Sequence, residues 1–504
     1  MRLFAFLILI QILNLSIHQD DDRLVFLVTH FRHGARAPQD VDENGYDILE
    51  ETWTNPGELT GIGQRMHYLL GLRNRLRYIQ NQKFLSESFD PHEMLIYSSS
   101  YNRTMVSCSS QLQGLYPQLS QKGEALTDGQ IDIAYPQVNV DNQEIQNEIT
   151  NLSSAALPYK MTLAPVRMFN NNERRFKVYD IDTCRVVKDS IKKQNRETIE
   201  YIKNFTAEFN QKYGGYLNEF YDQDKEYDIL DIEDFCDAFA SCYTDQRELT
   251  EIKKTGLNID EMNDYCYEYY RVNYLYHIHG DQNKTLAHIS SSRIMREILY
   301  YMKRRVDADM TPENEDANYK DYSRPKMFMI SGHDSTASSD EMFLFYALNL
   351  DPVTNYKFPR YASQLAMEVK TKNDGKTKQS YKDYYVTGYF DDKQIFNESM
   401  DQFIQKIEAQ IWSDDKIDEI CGFTSSSNNS SNSSNSNSSS YSNDEDNKDN
   451  AKTAYKVLMI VFICLTAVLL ATTIGLAILL NKRKKANLNN KFNNNDVTNS
   501  NIKA

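Results

Sequence analysis

One short stretch of this chain concentrates residues that could do chemistry: Arg32-His33-Gly34-Ala35-Arg36-Ala37-Pro38. Two guanidiniums flank an imidazole within five residues. Such a set makes a poor structural core. It makes a good cradle for a tetrahedral oxyanion, because arginine's planar fork of donors matches the oxygens of such an ion. A neutral imidazole nitrogen inside that cradle is a nucleophile. Gly34 lets the backbone come close to a ligand, and Pro38 stops the turn from drifting.

Three strand-like runs must position this stretch and two others. Leu24-Val25-Phe26-Leu27-Val28 is short, apolar and β-branched, which reads as a buried central strand ending at Arg32. Glu93-Met94-Leu95-Ile96-Tyr97 is a second such run and leads into Ser98-Ser99-Ser100-Tyr101-Asn102-Arg103-Thr104. Lys326-Met327-Phe328-Met329-Ile330 is a third and leads into Ser331-Gly332-His333-Asp334-Ser335-Thr336, with a helix-like stretch from Glu341 to Leu348 beyond. Each strand therefore ends in small polar residues plus a charged or titratable one. Ligands of open α/β folds collect at that edge, where helix N-termini offer free N–H groups to anions. Behind the first motif, Leu69, Leu70, Leu72, Leu76 and Ile79 predict the apolar face of a helix, with Arg65, Arg73, Arg75 and Arg77 on its solvated side.

The seven residues from Arg32 to Pro38 resemble the RHGxRxP signature of the histidine acid phosphatases, within branch 2 of the histidine phosphatase superfamily. Gly57-Glu58-Leu59-Thr60-Gly61-Ile62-Gly63-Gln64 extends the likeness. The resemblance implies that Arg103 is a third phosphate-binding guanidinium and that His333-Asp334 is the family's second motif. It also implies an α/β fold: a central, mostly parallel sheet flanked by helices, with a mostly helical second lobe over about 140–310. His33 would then be the nucleophile, forming a phosphohistidine. Arg32, Arg36, Arg103 and His333 would bind the phosphate oxygens, and Asp334 would give a proton to the leaving oxygen. No metal or other cofactor is required, since guanidiniums supply the positive charge. The expected activity is that of an acid phosphatase acting on small phosphate monoesters. The alternatives are a phytase-like inositol-phosphate hydrolase and a catalytically silent receptor or adhesion ectodomain.

Composition sets the frame. The chain has 504 residues and a formal charge of −15, which argues against nucleic acid as a partner. Residues 1–19 read as a signal peptide: one positive charge, then an apolar run too short to span a bilayer. Residues 20–423 form an ectodomain, and 424–456 a Ser/Asn-rich stalk that cannot build a core. Val457 to Leu480 carries no charge and is long enough to cross a membrane as one helix, with the tail 481–504 starting Asn481-Lys482-Arg483-Lys484-Lys485 on the cytoplasmic side. The protein is thus expected to be single-pass, its N-terminal domain luminal or extracellular, in lysosomal/endosomal or plasma membrane. A homodimer is one assembly open to it. Of seven cysteines, Cys464 falls in the span; the other six suggest three disulfides in an oxidising compartment, with Cys236, Cys242 and Cys266 pairing partly among themselves. Glycan acceptor triplets head at Asn151, Asn204, Asn283, Asn397, Asn428, Asn429, Asn432 and Asn437, and the one at Asn102 is expected to go unused at the pocket mouth. The tyrosines from Tyr265 to Tyr276 read as packing.

Overall fold

The computed structural model describes residues 22–39, 55–117, 125–131, 142–158, 163–168, 199–222, 224–246, 249–275, 285–311 and 325–421, with single positions between them. Seven strands form one sheet: β1 (Asp22–Arg32), β2 (Met94–Ser98), β3 (Arg167–Met168), β4 (Met327–Gly332), β5 (Gln364–Lys372), β6 (Tyr384–Phe390) and β7 (Lys393–Ser399). Their order is β3-β2-β4-β1-β5-β6-β7. The apolar run in β1 does what such runs do: every residue from Leu24 to Arg32 is buried, between β4 and β5.

The sheet is mixed rather than mostly parallel. β3, β2, β4 and β1 pair in parallel, but β1·β5, β5·β6 and β6·β7 are antiparallel. The cause is local. β6 and β7 are joined only by Asp391-Asp392, both at positive φ (45° and 69°). A two-residue turn of that hand closes an antiparallel hairpin and cannot make a parallel crossover.

Helices cover both faces. On one, the Thr285–Met310, Asp334–Leu348 and Met400–Glu408 helices bury Met295, Ile298, Phe343, Leu344 and Phe403 against Phe26, Val28 and Phe328. On the other, Leu112, Leu115 and Tyr78 meet Leu27, Phe31 and Met329. The helix Gly61–Asn74 turns glycines and polar residues inward rather than its leucines: Gly63, His67, Gly71 and Asn74 are buried, whereas Leu69 is 54% exposed; past its end Leu76 is also 54% exposed, but Ile79 is buried as expected. Close crossing with the Asn102–Leu115 helix explains this. A Cβ on Gly71 would lie 2.0 Å from Gln111 O, and one on Gly114 2.0 Å from Tyr68 O. Only glycine-to-backbone contact permits that approach, so glycines rather than leucines face inward. Arg75 is buried too, donating to Leu115 O at 3.0 Å, and Arg77 pairs with the buried Glu368 at 2.6 Å.

The helical lobe has its own core, built from Phe209, Tyr213, Phe235, Phe239, Met262 and Tyr269. Its Ile229–Asp245 and Ile259–Tyr274 helices are tied by the Cys236–Cys266 disulfide. The Thr285–Met310 helix, expected within the lobe, lies against the sheet instead. A second disulfide joins Cys184 to Cys421. The three expected disulfides are therefore two among the described residues. Cys108 and Cys242 lie buried in different cores, one under the sheet and one in the lobe. No described helix is long and apolar enough to cross a membrane; the segments 1–19, 424–456, Val457 to Leu480 and 481–504 lie outside the described residues.

Candidate active site

Strand register brings the three motifs to one edge. In the parallel ladders Arg32 lies opposite Gly332, and Ser98 opposite Ser331. β4 sits between β2 and β1, so the segments following all three strands leave side by side. The backbone continues the pairing past the strand ends: His33 N–H donates to Gly332 O at 3.0 Å, and Ser99 N–H to Ser331 O at 3.1 Å.

After β1 the chain forms a narrow ribbon with residues 57–60. Ala37 N–H donates to Glu58 O, Gly57 N–H to Pro38 O and Thr60 N–H to Ala35 O. Gly34 has a specific reason to be glycine here. A Cβ would sit 2.4 Å from Gly63 O at the start of the Gly61–Asn74 helix, with no flexible atom to yield.

His33 is 2% exposed. Its Nδ1 lies 2.8 Å from Gly34 O. A carbonyl can only accept, so Nδ1 carries the hydrogen and Nε2 keeps its lone pair. Burial, reinforced by Arg32 and Arg36, pushes this imidazole well below its ordinary range. It is therefore neutral through the mildly acidic range. The carbonyl of His33 accepts from Ala362 N–H at 3.1 Å, and Ala362 holds a left-handed φ of 61° to do so.

Three guanidiniums surround it. Arg32 donates to Pro359 O at 2.9 Å, pairs with Asp334 Oδ2 at 2.7 Å and stacks under Tyr361, 4.4 Å from the ring centre. Arg36 makes a two-pronged pair with Asp237 on the lobe, at 2.7 and 3.1 Å. Arg103, at the start of the Asn102–Leu115 helix, has no carboxylate partner among the described residues. It lies over the Tyr101 ring at 4.5 Å and reaches His333 Nδ1 at 3.5 Å. Burial and the neighbouring Arg36 lower its proton affinity. In all three, the buried Nε–H has no hydrogen-bond partner among the described residues. Three guanidiniums against two carboxylates leave the site net positive.

His333 and Asp334 follow β4. His333 contacts Ser99 Oγ through Nε2 at 2.9 Å and faces His33 edge-on, with ring centres 5.6 Å apart. Burial, and then Arg103, push it down to about 3. Its backbone N–H is capped by Thr336 Oγ1 at 3.0 Å, and Thr336 in turn touches His30, which pairs with Asp340 at 2.8 Å. Gly332 is required by this buried network: a Cβ there would lie 2.6 Å from His30 Nε2. Asp334 Oδ1 accepts from Ser335 N–H at 2.8 Å and from Tyr274 OH at 3.2 Å. Burial favours its neutral form, but Arg32 and Arg36 together outweigh that and hold the carboxyl below the usual range.

All six residues expected from the sequence, Arg32, His33, Arg36, Arg103, His333 and Asp334, thus meet in one pocket. Ser99, Asp237, Tyr274, Phe358 and Tyr361 join them without having been expected. Asn102 donates to Glu58 at 3.0 Å beside Arg103.

The fold is a mixed α/β sheet covered by helices, and its pocket gathers three guanidiniums, two imidazoles and a carboxylate at one strand edge. The sequence profile of the histidine phosphatase superfamily (branch 2) matches residues 23–390, and the chain belongs to that family. It is 26% identical to prostatic acid phosphatase of Bos taurus over 374 residues, 73% of this chain and 77% of that one. It is 38% identical to lysosomal acid phosphatase of Xenopus laevis over 98 residues, 19% of this chain and 21% of that one. Two Caenorhabditis elegans relatives, each 37% identical, match over only 28% and 23% of their own lengths. Phytase from Citrobacter braakii superposes with a TM-score of 0.49 at 12% identity, covering 79% of this chain and 99% of that one.

Proposed function

We propose that this protein is an acid phosphatase that hydrolyses phosphate monoesters through a phosphohistidine at His33. The observation that carries the reading is the paired state of that ring: Nδ1–H is committed to Gly34 O, and Nε2 is left as a lone pair beside the Arg32 and Arg36 guanidiniums. The Nε2 lone pair attacks phosphorus and the P–O bond to the alcohol breaks. Asp334 gives its proton to the departing oxygen. Water then attacks phosphorus, Asp334 takes a proton from it, and the N–P bond returns its electrons to Nε2. Arg32, Arg36 and Arg103, with His333, hold the equatorial oxygens throughout. In the structure Arg103 can only donate to His333 Nδ1, so that ring carries its hydrogen on Nε2 toward Ser99; to donate to a phosphate oxygen, His333 must shift its hydrogen to Nδ1 as Arg103 turns to the phosphate, with Ser99 then donating to Nε2.

The acid optimum follows from the charges. Arg32 and Arg36 keep Asp334 ionised while they face it. A bound phosphoryl group takes over those guanidiniums and adds negative charge beside the carboxyl, so Asp334 regains a proton in acid medium. Small monoesters fit better than inositol polyphosphates, because the lobe sets the ionised Asp237 beside the site, although Glu233, raised to about 7, is neutral in acid medium. Two disulfides support an oxidising compartment. We place the catalytic domain, residues 20–423, outside the cell or in a lumen, anchored through residues 457–480.

The test is hydrolysis of an aryl phosphate by the purified protein at about pH 5 and about pH 8, alongside His33→Ala. Turnover at the acid pH that His33→Ala abolishes is expected. An inert wild-type protein would point to a silent ectodomain.

A further inference from the structure

Asp334 is bound unevenly. Oδ1 receives two donors, the Ser335 N–H at 2.8 Å and the Tyr274 hydroxyl at 3.2 Å. Among the described residues Oδ2 receives one, Arg32 Nη2 at 2.7 Å. Only the last of these is released when substrate enters, because Arg32 must turn its donors to the phosphate oxygens. Tyr274 does not belong to the strand edge at all. It is the last residue of the lobe helix Ile259–Tyr274. Its ring packs on Phe358, centres 5.2 Å apart, and the next residue, Leu275, is buried against Met342 and Phe345. Those two sit on the very helix that begins at Asp334. The same lobe helix is stapled through Cys266 to Cys236, the neighbour of Asp237 that grips Arg36. The hydroxyl is thus fixed by packing at both ends, and the buried ring keeps its proton.

We propose that Tyr274 is a positioning residue: with the Ser335 N–H it anchors Oδ1 of Asp334, leaving Oδ2 as the atom that carries the proton to the leaving oxygen. This rests on the phosphatase reading above. A carboxyl group bearing its hydrogen on Oδ1 would have to break both anchors to deliver it. A hydrogen on Oδ2 takes the place Arg32 vacates. The 3.2 Å separation is long for a hydroxyl donor, as catalytic contacts often are before substrate closes the site.

The hydroxyl also stabilises the carboxylate, so its removal has a signed effect on pH dependence. The other charged and titratable groups facing Asp334 are Arg32, Arg36, Arg103, His333, Glu233 and Tyr356. None changes in Tyr274→Phe, which keeps the ring and its packing. Loss of one donor to an ionised group should move the basic limb of the kcat profile up by about one pH unit.

The experiment compares wild type, Tyr274→Phe, Asp334→Asn and the double variant on an aryl and an alkyl phosphate across pH, with His33→Ala as blank. The expected result is a basic limb displaced upward in Tyr274→Phe, larger on the alkyl ester, and no further change when the Phe is added to Asp334→Asn. An active wild type whose Tyr274→Phe variant keeps its limb, or loses the same factor in the Asp334→Asn background, overturns the role of Tyr274 alone. A wild type inert toward both esters overturns this inference together with the phosphatase reading.

Discussion

Asp334→Asn separates the two jobs that the carboxyl group performs. Asparagine keeps an oxygen for the Ser335 N–H and the Tyr274 hydroxyl, so the local fold survives. Its amide nitrogen, however, cannot donate a proton and would face Arg32 Nη2, now 2.7 Å from a carboxylate oxygen. Two consequences follow. Loss of general-acid help should slow an alkyl phosphate by about 10²–10⁴, the usual worth of a positioned acid, and a nitrophenyl phosphate by no more than about tenfold. At the same time the site gains net positive charge and Arg32 is freed, so inorganic phosphate should inhibit more tightly, by about tenfold if one charge-assisted contact of ~1.5 kcal/mol is released to the anion. The assay is steady-state hydrolysis of both esters with phosphate as competitive inhibitor. Equal losses on the two esters would refute the assignment of Asp334 as donor. Unchanged or weaker phosphate inhibition would refute the claim that Asp334 competes with substrate for Arg32.

The remaining predictions concern stability and backbone fit. Burial lowers the proton affinity of His33, His67 and His333, with His67 down to about 4 and His333 to about 3. Below their unfolded value near ~6.5 the unfolded chain takes up protons that the folded one refuses, so stability falls as pH drops, by up to about 1.4 kcal/mol per unit for each ring. Glu233, raised to about 7, and Glu341, also raised by burial, act with the opposite sign over the same range, so the histidine contribution is read by difference: the thermal midpoint of His67→Gln should decline less than that of wild type between about pH 6.5 and about pH 4, and saturating phosphate should stabilise both. Parallel profiles for the two proteins would refute the buried neutral His67. Gly34→Ala should cost about 1–3 kcal/mol by overpacking against Gly63 O and, by moving the His33 ring about 1 Å, lower kcat by ~10². A variant with wild-type melting and turnover would show that the ribbon yields freely.

The strand edge was legible from the sequence because its signal is local. Each buried run ends within a few residues of its functional group, and parallel pairing in register then aligns Arg32, Ser98 and Gly332 without further information. The partners that orient those groups were not legible. Asp237 lies 201 residues from Arg36, and Tyr274 lies 60 from Asp334, on helices whose spacing reads only as packing. The tyrosines from 265 to 274 do serve packing, and one of them serves the site as well. The apolar pattern after Gly61 misled for a related reason. Periodicity finds the face with leucines, but close helix crossing buries Gly71 and Gly114 instead. The last antiparallel pair, β6·β7, hung on a two-residue turn, Asp391-Asp392, whose positive φ angles no residue type there announces; β1·β5 and β5·β6 are long-range pairings with no local signal.

The central claim is a covalent bond between one ring nitrogen and phosphorus. Rapid quenching of the protein with a labelled aryl phosphate at acid pH, followed by peptide mapping at alkaline pH, tests it most directly. Phosphate on the imidazole of His33, formed at least as fast as turnover and absent from His33→Ala, is the predicted result. A turning-over enzyme that never carries phosphate on His33, or carries it on His333 instead, would contradict it.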